Sequence, residues 1–153
     1  MTQFLLPIVL VSNGMAAGGL MIAVLGGAPL MFVLPVGQYI TVEQFLTTRF
    51  DPFMPICLVT TILLDGSLAF VAPDAPSRRL FALASLLTAC AITVSITRNF
   101  PINRWVRTLD PERIPENWDE VDPRKRWRNW NFVRATLTIL ALLVNVTAVS
   151  VLV

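Results

Sequence analysis

The sequence predicts an all-α integral membrane protein, a four-helix bundle with a polar loop region between the third and fourth helices. Three observations predict it. Hydrophobic residues make up 55% of the 153 residues and charged residues only 14%, against roughly 25% charge in an ordinary soluble domain. A chain of this size folded in water cannot hide that much apolar surface. Four stretches, about 4–32, 52–71, 80–97 and 132–153, match the roughly 20 apolar residues that a bilayer core of about 30 Å requires, and each is apolar on every side. The remaining charge is gathered: residues 98–131 hold eight of the twelve basic and six of the ten acidic residues.

The same inventory narrows the chemistry. The chain has no histidine, so His-ligated haem or zinc and Ser-His-Asp catalysis are excluded, and no metal site is expected. Cys57 and Cys90 lie far apart in apolar stretches without a C-x-x-C pair; they are expected to be small core residues, not a redox couple. A net charge of +2 gives no reason to expect a nucleic-acid partner. No phosphate loop, nucleotide fingerprint or flavin motif occurs.

The first span, 4–32, is too long for a secretory signal and lacks its positive leading region. Gly14 and Gly18 form a G-x-x-x-G pair, expected to pack against another span or a second copy of the chain. Pro29 and Pro35 are expected to end or bend the helix. Residues 35–51 form a mixed connection with room for a short interfacial or re-entrant helix. The single domain continues through spans 52–71 and 80–97, joined by the turn at Pro73, Asp74 and Pro76. Pro101, Pro111, Pro115 and Pro123 break the long loop, and Pro101 is expected to end the third helix between Asn99 and Asn103. Trp105, Trp118 and Trp130 suit headgroup anchoring. Ten basic residues, among them Arg49 and Arg134, fall on the side of the two larger loops, and only Arg78 and Arg79 on the other. The positive-inside rule then places the large loops in the cytoplasm and both termini outside.

Up-down threading gathers Gln38, Arg49, Asp51, Arg98, Asn99, Asn103, Arg104, Trp127, Asn131 and Arg134 at the loop end. Trp127, Asn131 and Arg134 share a face if the last helix starts early. Arg134 lies inside an apolar run and needs a partner or water, with Asp51 the nearest anion across the bundle. A second polar layer lies deeper. Asp65 falls about 9 Å from the outer end of its span, and Asn13, Thr88 and Asn145 roughly 12–14 Å from theirs, at 1.5 Å per residue. An intramembrane Asp is a functional candidate, with interhelical glue as the bland alternative. Acid-base work falls to Asp51, Asp65, Glu43 or Tyr39, since a carboxyl in apolar surroundings can exchange protons near neutral pH. Arg134 or Arg49 could hold an enolate or phenolate, and the asparagines a carbonyl.

The segments Arg49-Phe50-Asp51-Pro52-Phe53-Met54-Pro55, Arg98-Asn99-Phe100-Pro101-Ile102-Asn103 and Trp127-Arg128-Asn129-Trp130-Asn131-Phe132-Val133-Arg134 resemble the anthrone oxygenase-like family of small four-span membrane proteins. N-x-P-x-N and W-x-x-x-N-x-x-R are the most specific parts, and the span layout extends the likeness over nearly the whole chain. The resemblance implies oxidation of anthrones to anthraquinones by molecular oxygen, in polyketide tailoring and without a conventional cofactor. It singles out Asn99, Pro101, Asn103, Trp127, Asn131 and Arg134. Relatives often carry a His after the last-motif asparagine; Phe132 stands there here, so any base must be another group. Joined to the residue chemistry, this makes Asp51, Asp65 and Arg134 the catalytic expectation. Arg49, Asn99, Asn103, Trp127 and Asn131 would then contact a lipophilic small molecule, with membrane lipid around the bundle and a homo-oligomer left open. Two other readings fit the same residues: a redox-neutral cyclase or epoxide hydrolase of a lipophilic natural product, and a non-catalytic membrane subunit.

Overall fold

A computed structural model describes residues 2–152. Among them every regular element is helical. The first span is α1 (Thr2–Ile22), a π turn (Ala23–Gly27) and α2 (Ala28–Val33). The second is one continuous helix, α3 (Val36–Val71). The third is α4 (Ala75–Val94), a π turn (Ser95–Asn99) and α5 (Phe100–Val106). After the loop and the short α6 (Trp118–Val121), α7 (Arg124–Leu152) is the fourth. Four helical stretches of 30, 36, 32 and 35 residues are long and apolar enough to cross a membrane. Large apolar side chains such as Val11, Leu25, Leu63, Phe70 and Leu143 stand exposed around the bundle, as lipid-facing positions must. The chain is an integral membrane protein.

Short connections make sequential helices antiparallel neighbours. α3 packs on α1 and α4, and α7 on α4 and α1, closing a ring of four. Each helix turns a three-four series of buried residues inward: Val9, Asn13, Ala16 and Leu20; Leu58, Thr61, Asp65 and Leu68; Phe81, Ala84, Thr88 and Ala91; Asn131, Ala135, Thr138, Asn145 and Ala148. That spacing is the seam of a left-handed bundle. The alanines at it let backbones approach closely, which in lipid supplies the packing that water would otherwise drive.

Pro35 breaks the helix as expected, the first span ending at Val33 just before it, but other prolines behave differently. Pro29 and Pro101 do not end their helices. Each sits just after a π turn, in which Ala28 donates to Ala23 O and Phe100 to Ser95 O. The wider turn takes up the missing proline donor and its clash with the preceding carbonyl. Pro52 and Pro55 lie within α3, so residues 35–51 are no loose connection but the start of that helix, with Pro35 at its N-cap. At 1.5 Å per residue α3 is about 54 Å long, beyond a core of about 30 Å. The loop end therefore builds a helical cap above the apolar windows.

That cap is packed. Trp118 and Trp127 are buried with Tyr39, Ile40, Ile102 and Val106, and Trp118 lies against both Trp105 and Tyr39 at ring separations of 6.2 and 6.0 Å. Trp118 is thus a core residue, not the headgroup anchor its composition suggests. The Gln44 side chain holds the loop by donating to Val106 O and Leu109 O at 3.1 and 2.8 Å. Cys57 is buried, but Cys90 is exposed on the outer face of α4, so only one of the two cysteines is a core residue. Nothing stands within 4 Å of a Cβ built at Gly14 or Gly18; the G-x-x-x-G face is not packed by the chain's own spans.

Candidate functional site

A cavity of about 190 Å³ lies inside the ring at the loop end. Its walls are mostly apolar, from Leu20, Met31, Met54, Leu58 and Ile92, and its polar groups are Glu43, Thr47, Asp51, Ser95, Asn103 and Arg134, with Trp127 beside them. The backbone explains the convergence. Glu43, Thr47 and Asp51 stand four residues apart on α3 and share one face. Asn99 and Asn103 share a face because the helix continues through Pro101. Trp127, Asn131 and Arg134 share a face because α7 starts at Arg124. Both π turns supply lining residues, Ala23 and Gly27 from one and Ser95 and Ile96 from the other.

The polar groups form two networks. On the α3 side Asp51 is paired with Arg107 and accepts from Asn103 Nδ2 at 3.1 Å. Arg107 also donates to Thr47 Oγ1 at 3.1 Å and Thr47 O at 3.0 Å. Asn103 Oδ1 accepts from the Trp127 indole at 2.9 Å, and Asn99 Nδ2 donates to Trp127 O at 3.2 Å. On the α7 side Arg134 Nε donates to Asn131 Oδ1 at 2.9 Å and its Nη1 to Ser95 Oγ at 3.4 Å. Asn131 is fully buried behind it.

Asp51, Asn103, Trp127 and Arg134 of the sequence-predicted residues line this cavity. Asn99 and Asn131 lie behind its wall, holding Trp127 and Arg134. Arg49 is placed elsewhere: it is exposed, stacked 3.6 Å over the Phe45 ring and bonded to Phe45 O. Two residues before Asp51 is about 200° around the helix, the opposite face. The ion pair expected between Asp51 and Arg134 is not formed, because Arg107 takes the carboxylate. Among the described residues Arg134 has no acidic partner at salt-bridge distance.

Asp65 lies two turns beyond Leu58 on α3, roughly 10 Å further along the axis, in the outer layer. Asn145 Nδ2 donates to its Oδ2 at 3.1 Å. With the Asn13 amide turned so that both ends are satisfied, Asn13 donates to Thr138 O at 3.2 Å and accepts from Asn145 Nδ2 at 3.1 Å. Thr88 shares the depth but bonds only Ala84 O of its own helix.

Two groups join the site beyond the expected loop-end gathering: Arg107, which the sequence reading did not single out, and Glu43, which it named as an acid-base candidate without placing it. Arg107 falls in the stretch that Pro101 was expected to break. Glu43 is 1% exposed, and its Oε1 has no hydrogen-bond partner. Its four-residue spacing to Thr47 and Asp51 is the signal that locates it, once 36–51 is read as helix. A buried carboxyl without a donor, an unpaired guanidinium and apolar walls suit proton removal from a lipophilic molecule and stabilisation of the resulting anion. Among the described residues no three of His, Cys, Asp and Glu cluster as metal ligands.

Comparison with curated proteins and with solved structures returns no match. The family model described as anthrone oxygenase matches residues 45–144, which spans Asp51, both asparagine motifs and Arg134. On that match, the chain belongs to the anthrone oxygenase family.

Proposed function

We propose that the protein oxidises a lipophilic polycyclic phenol of the anthrone type with molecular oxygen, in secondary metabolism and without a resident cofactor. The observation that carries this reading is the pairing, in one apolar cavity, of the donor-free Glu43 carboxyl with the carboxylate-free Arg134 guanidinium. Glu43 takes a proton from the activated ring methylene. Arg134, fixed by Asn131 and Ser95, holds the enolate or phenolate oxygen. The carbanion gives one electron to O2, the radical pair closes a C–O bond, and the proton held on Glu43 returns to the peroxide oxygen to form a hydroperoxide. Glu43 then takes the remaining C–H proton, the C–H electron pair forms the second carbonyl as the O–O bond breaks, and the departing hydroxide accepts that proton and leaves as water. The substrate loses two hydrogens and gains one oxygen, and O2 is reduced by four electrons. Asp51 positions Arg107 and Asn103 at the cavity edge. Asp65, in the outer layer, takes no part. The cavity is smaller than the roughly 300–1,000 Å³ typical of drug-sized ligands, which favours a compact fused-ring molecule over an extended polyketide.

The large loop is proposed to face the cytoplasm and both termini the outside, on the bias of ten basic residues against two. The functional test uses the protein in nanodiscs with anthrone and 18O2. One O2 consumed per quinone formed, with one label in the new carbonyl, is the expected result. Substrate conversion without oxygen uptake would move the protein to redox-neutral chemistry.

A further inference from the structure

We propose that the cavity opens sideways between α3 and α4, so that its ligand is taken from the lipid phase instead of the aqueous loop face; this rests on reading the cavity as the substrate site.

The seam between these helices is fastened at two levels. At the far end Ser85 Oγ donates to Ile62 O at 3.2 Å, and a Cβ at Gly66 would lie only 3.9 Å from that hydroxyl oxygen. At the loop end Arg107 is bonded to Thr47 and Asp51, and Asn103 to Asp51. Between these clamps three residues line the cavity and also face the outside of the bundle: Pro55 on α3, and Ile96 and Phe100 opposite it, 61% and 47% exposed. A side chain that borders both the interior and the lipid marks an opening.

The backbone on both sides of this window is irregular. Pro52 and Pro55 deprive the Thr48 and Asp51 carbonyls of their helical donors. Across from them stands the π turn Ser95–Asn99, whose looser hydrogen bonding permits local adjustment. A flat molecule can pass where neither helix must break a regular ladder.

The loop face is capped. The loop is clamped over α3 by Gln44, and Trp118 and Trp127 fill the cap. On α1 the lining residue Ile22 is also 67% exposed. There, however, the Met54 side chain packs on Gly19, with an added Cβ 3.1 Å from its sulfur, and this contact narrows the α1–α3 seam. Access through the membrane selects for lipophilic, uncharged ligands before any contact with Glu43 or Arg134.

The test places a thiol in the cavity, Ser95→Cys, in a chain with Cys57→Ser and Cys90→Ala, reconstituted in nanodiscs. Labelling is followed by intact mass with lipophilic N-phenylmaleimide and with a sulfonated, membrane-impermeant maleimide. The expected result is labelling by the phenyl reagent alone. Adding Ile96→Trp should slow it at least tenfold, Ile96→Ala should speed it, and Ile22→Trp should change it less than twofold. Labelling in SDS shows that the thiol reacts. Equal rates with Trp or Ala at 96, slowing by Ile22→Trp in their place, equal labelling by the sulfonated reagent, or no labelling before SDS would each overturn the proposal. No oxygen chemistry is read, so failure of the oxygenase reading would show separately.

Discussion

Asp51 is the ion-pair partner of Arg107, not of Arg134. Arg134 therefore enters the cavity as a cation held only by the Asn131 carbonyl oxygen and the Ser95 hydroxyl. A preorganised guanidinium without a carboxylate is suited to an anion that forms during reaction, and removing one such donor typically costs about 10²–10³ in kcat. Arg134→Ala should lose that much anthrone oxidation. Arg134→Lys should recover only part of it, since an ammonium lacks the fork that meets Asn131 and Ser95 together. Steady-state kinetics in nanodiscs, with circular dichroism to verify folding, decide the matter; wild-type kcat in folded Arg134→Ala would remove the role.

Glu43→Gln keeps the shape of the buried side chain and removes its capacity to accept a proton. General-base catalysis contributes about 10²–10⁴, so kcat should drop by that range while substrate KM changes little. Asp51→Asn is the comparison. Its loss should be smaller and expressed in KM, because Asn103 can still donate to the remaining oxygen. Equal losses in kcat for the two variants would return the base to Asp51.

Arg107 ties the end of the third span to α3 through three acceptors. The pair is partly exposed, 35% for Arg107 and 21% for the Asp51 side chain, so solvent screens the charges. The hydrogen bonds to Thr47 carry most of the effect. Arg107→Ala should lower stability by about 1–3 kcal/mol, and a double-mutant cycle with Asp51→Asn should give a coupling nearer 1 kcal/mol. Thermal melts in detergent measure both; a loss confined to the ion-pair coupling would contradict this division.

The spans, the loop-end gathering of Asp51, Asn103, Trp127 and Arg134, and the outer layer of Asp65 and Asn145 were all legible from hydropathy and spacing. What was not legible follows from one ambiguity. Proline reads as a helix end, and the code has no sign for a π turn that absorbs it. Reading Pro101 as a stop hid Arg107, four residues after Asn103. Reading Pro35 to Asp51 as a mixed connection hid the row Glu43, Thr47 and Asp51. Arg49 was misplaced for the same reason, since without a helix there was no phase to put it opposite Asp51.

The outer layer invites a separate test. Asp65 is fully buried, and its contact with Asn145 joins α3 to α7, while Asn13 ties in α1. Asp65→Asn should be close to neutral, because its oxygen can accept from Asn145. Asp65→Ala strands the Asn145 donor and opens a void, and should cost about 1–3 kcal/mol. Anthrone turnover should be unchanged in Asp65→Asn. A tenfold loss of turnover in that variant, with an unchanged melting temperature, would bring Asp65 into the reaction.

Asp74 lies in the turn between α3 and α4 and caps α4, its side chain accepting from Ser77 N at 2.8 Å. These hydrogen bonds, assisted by Arg78, hold its carboxyl below the ordinary value of 3.8. The folded state thus binds this proton less readily than the unfolded state. The stabilisation is fully present above the unfolded value and is lost as pH falls through the lower folded value. Wild type should melt higher than Asp74→Ala at neutral pH, and the difference should shrink only below about pH 4. Asp74→Ser, which retains a capping oxygen without the charge, should keep most of the neutral-pH stability and show none of this acid dependence. Melting temperatures of the three proteins between pH 2.5 and 7 provide the check. A gap between wild type and Asp74→Ala that persists undiminished at the acid end would mean that the carboxylate is not what stabilises the helix start.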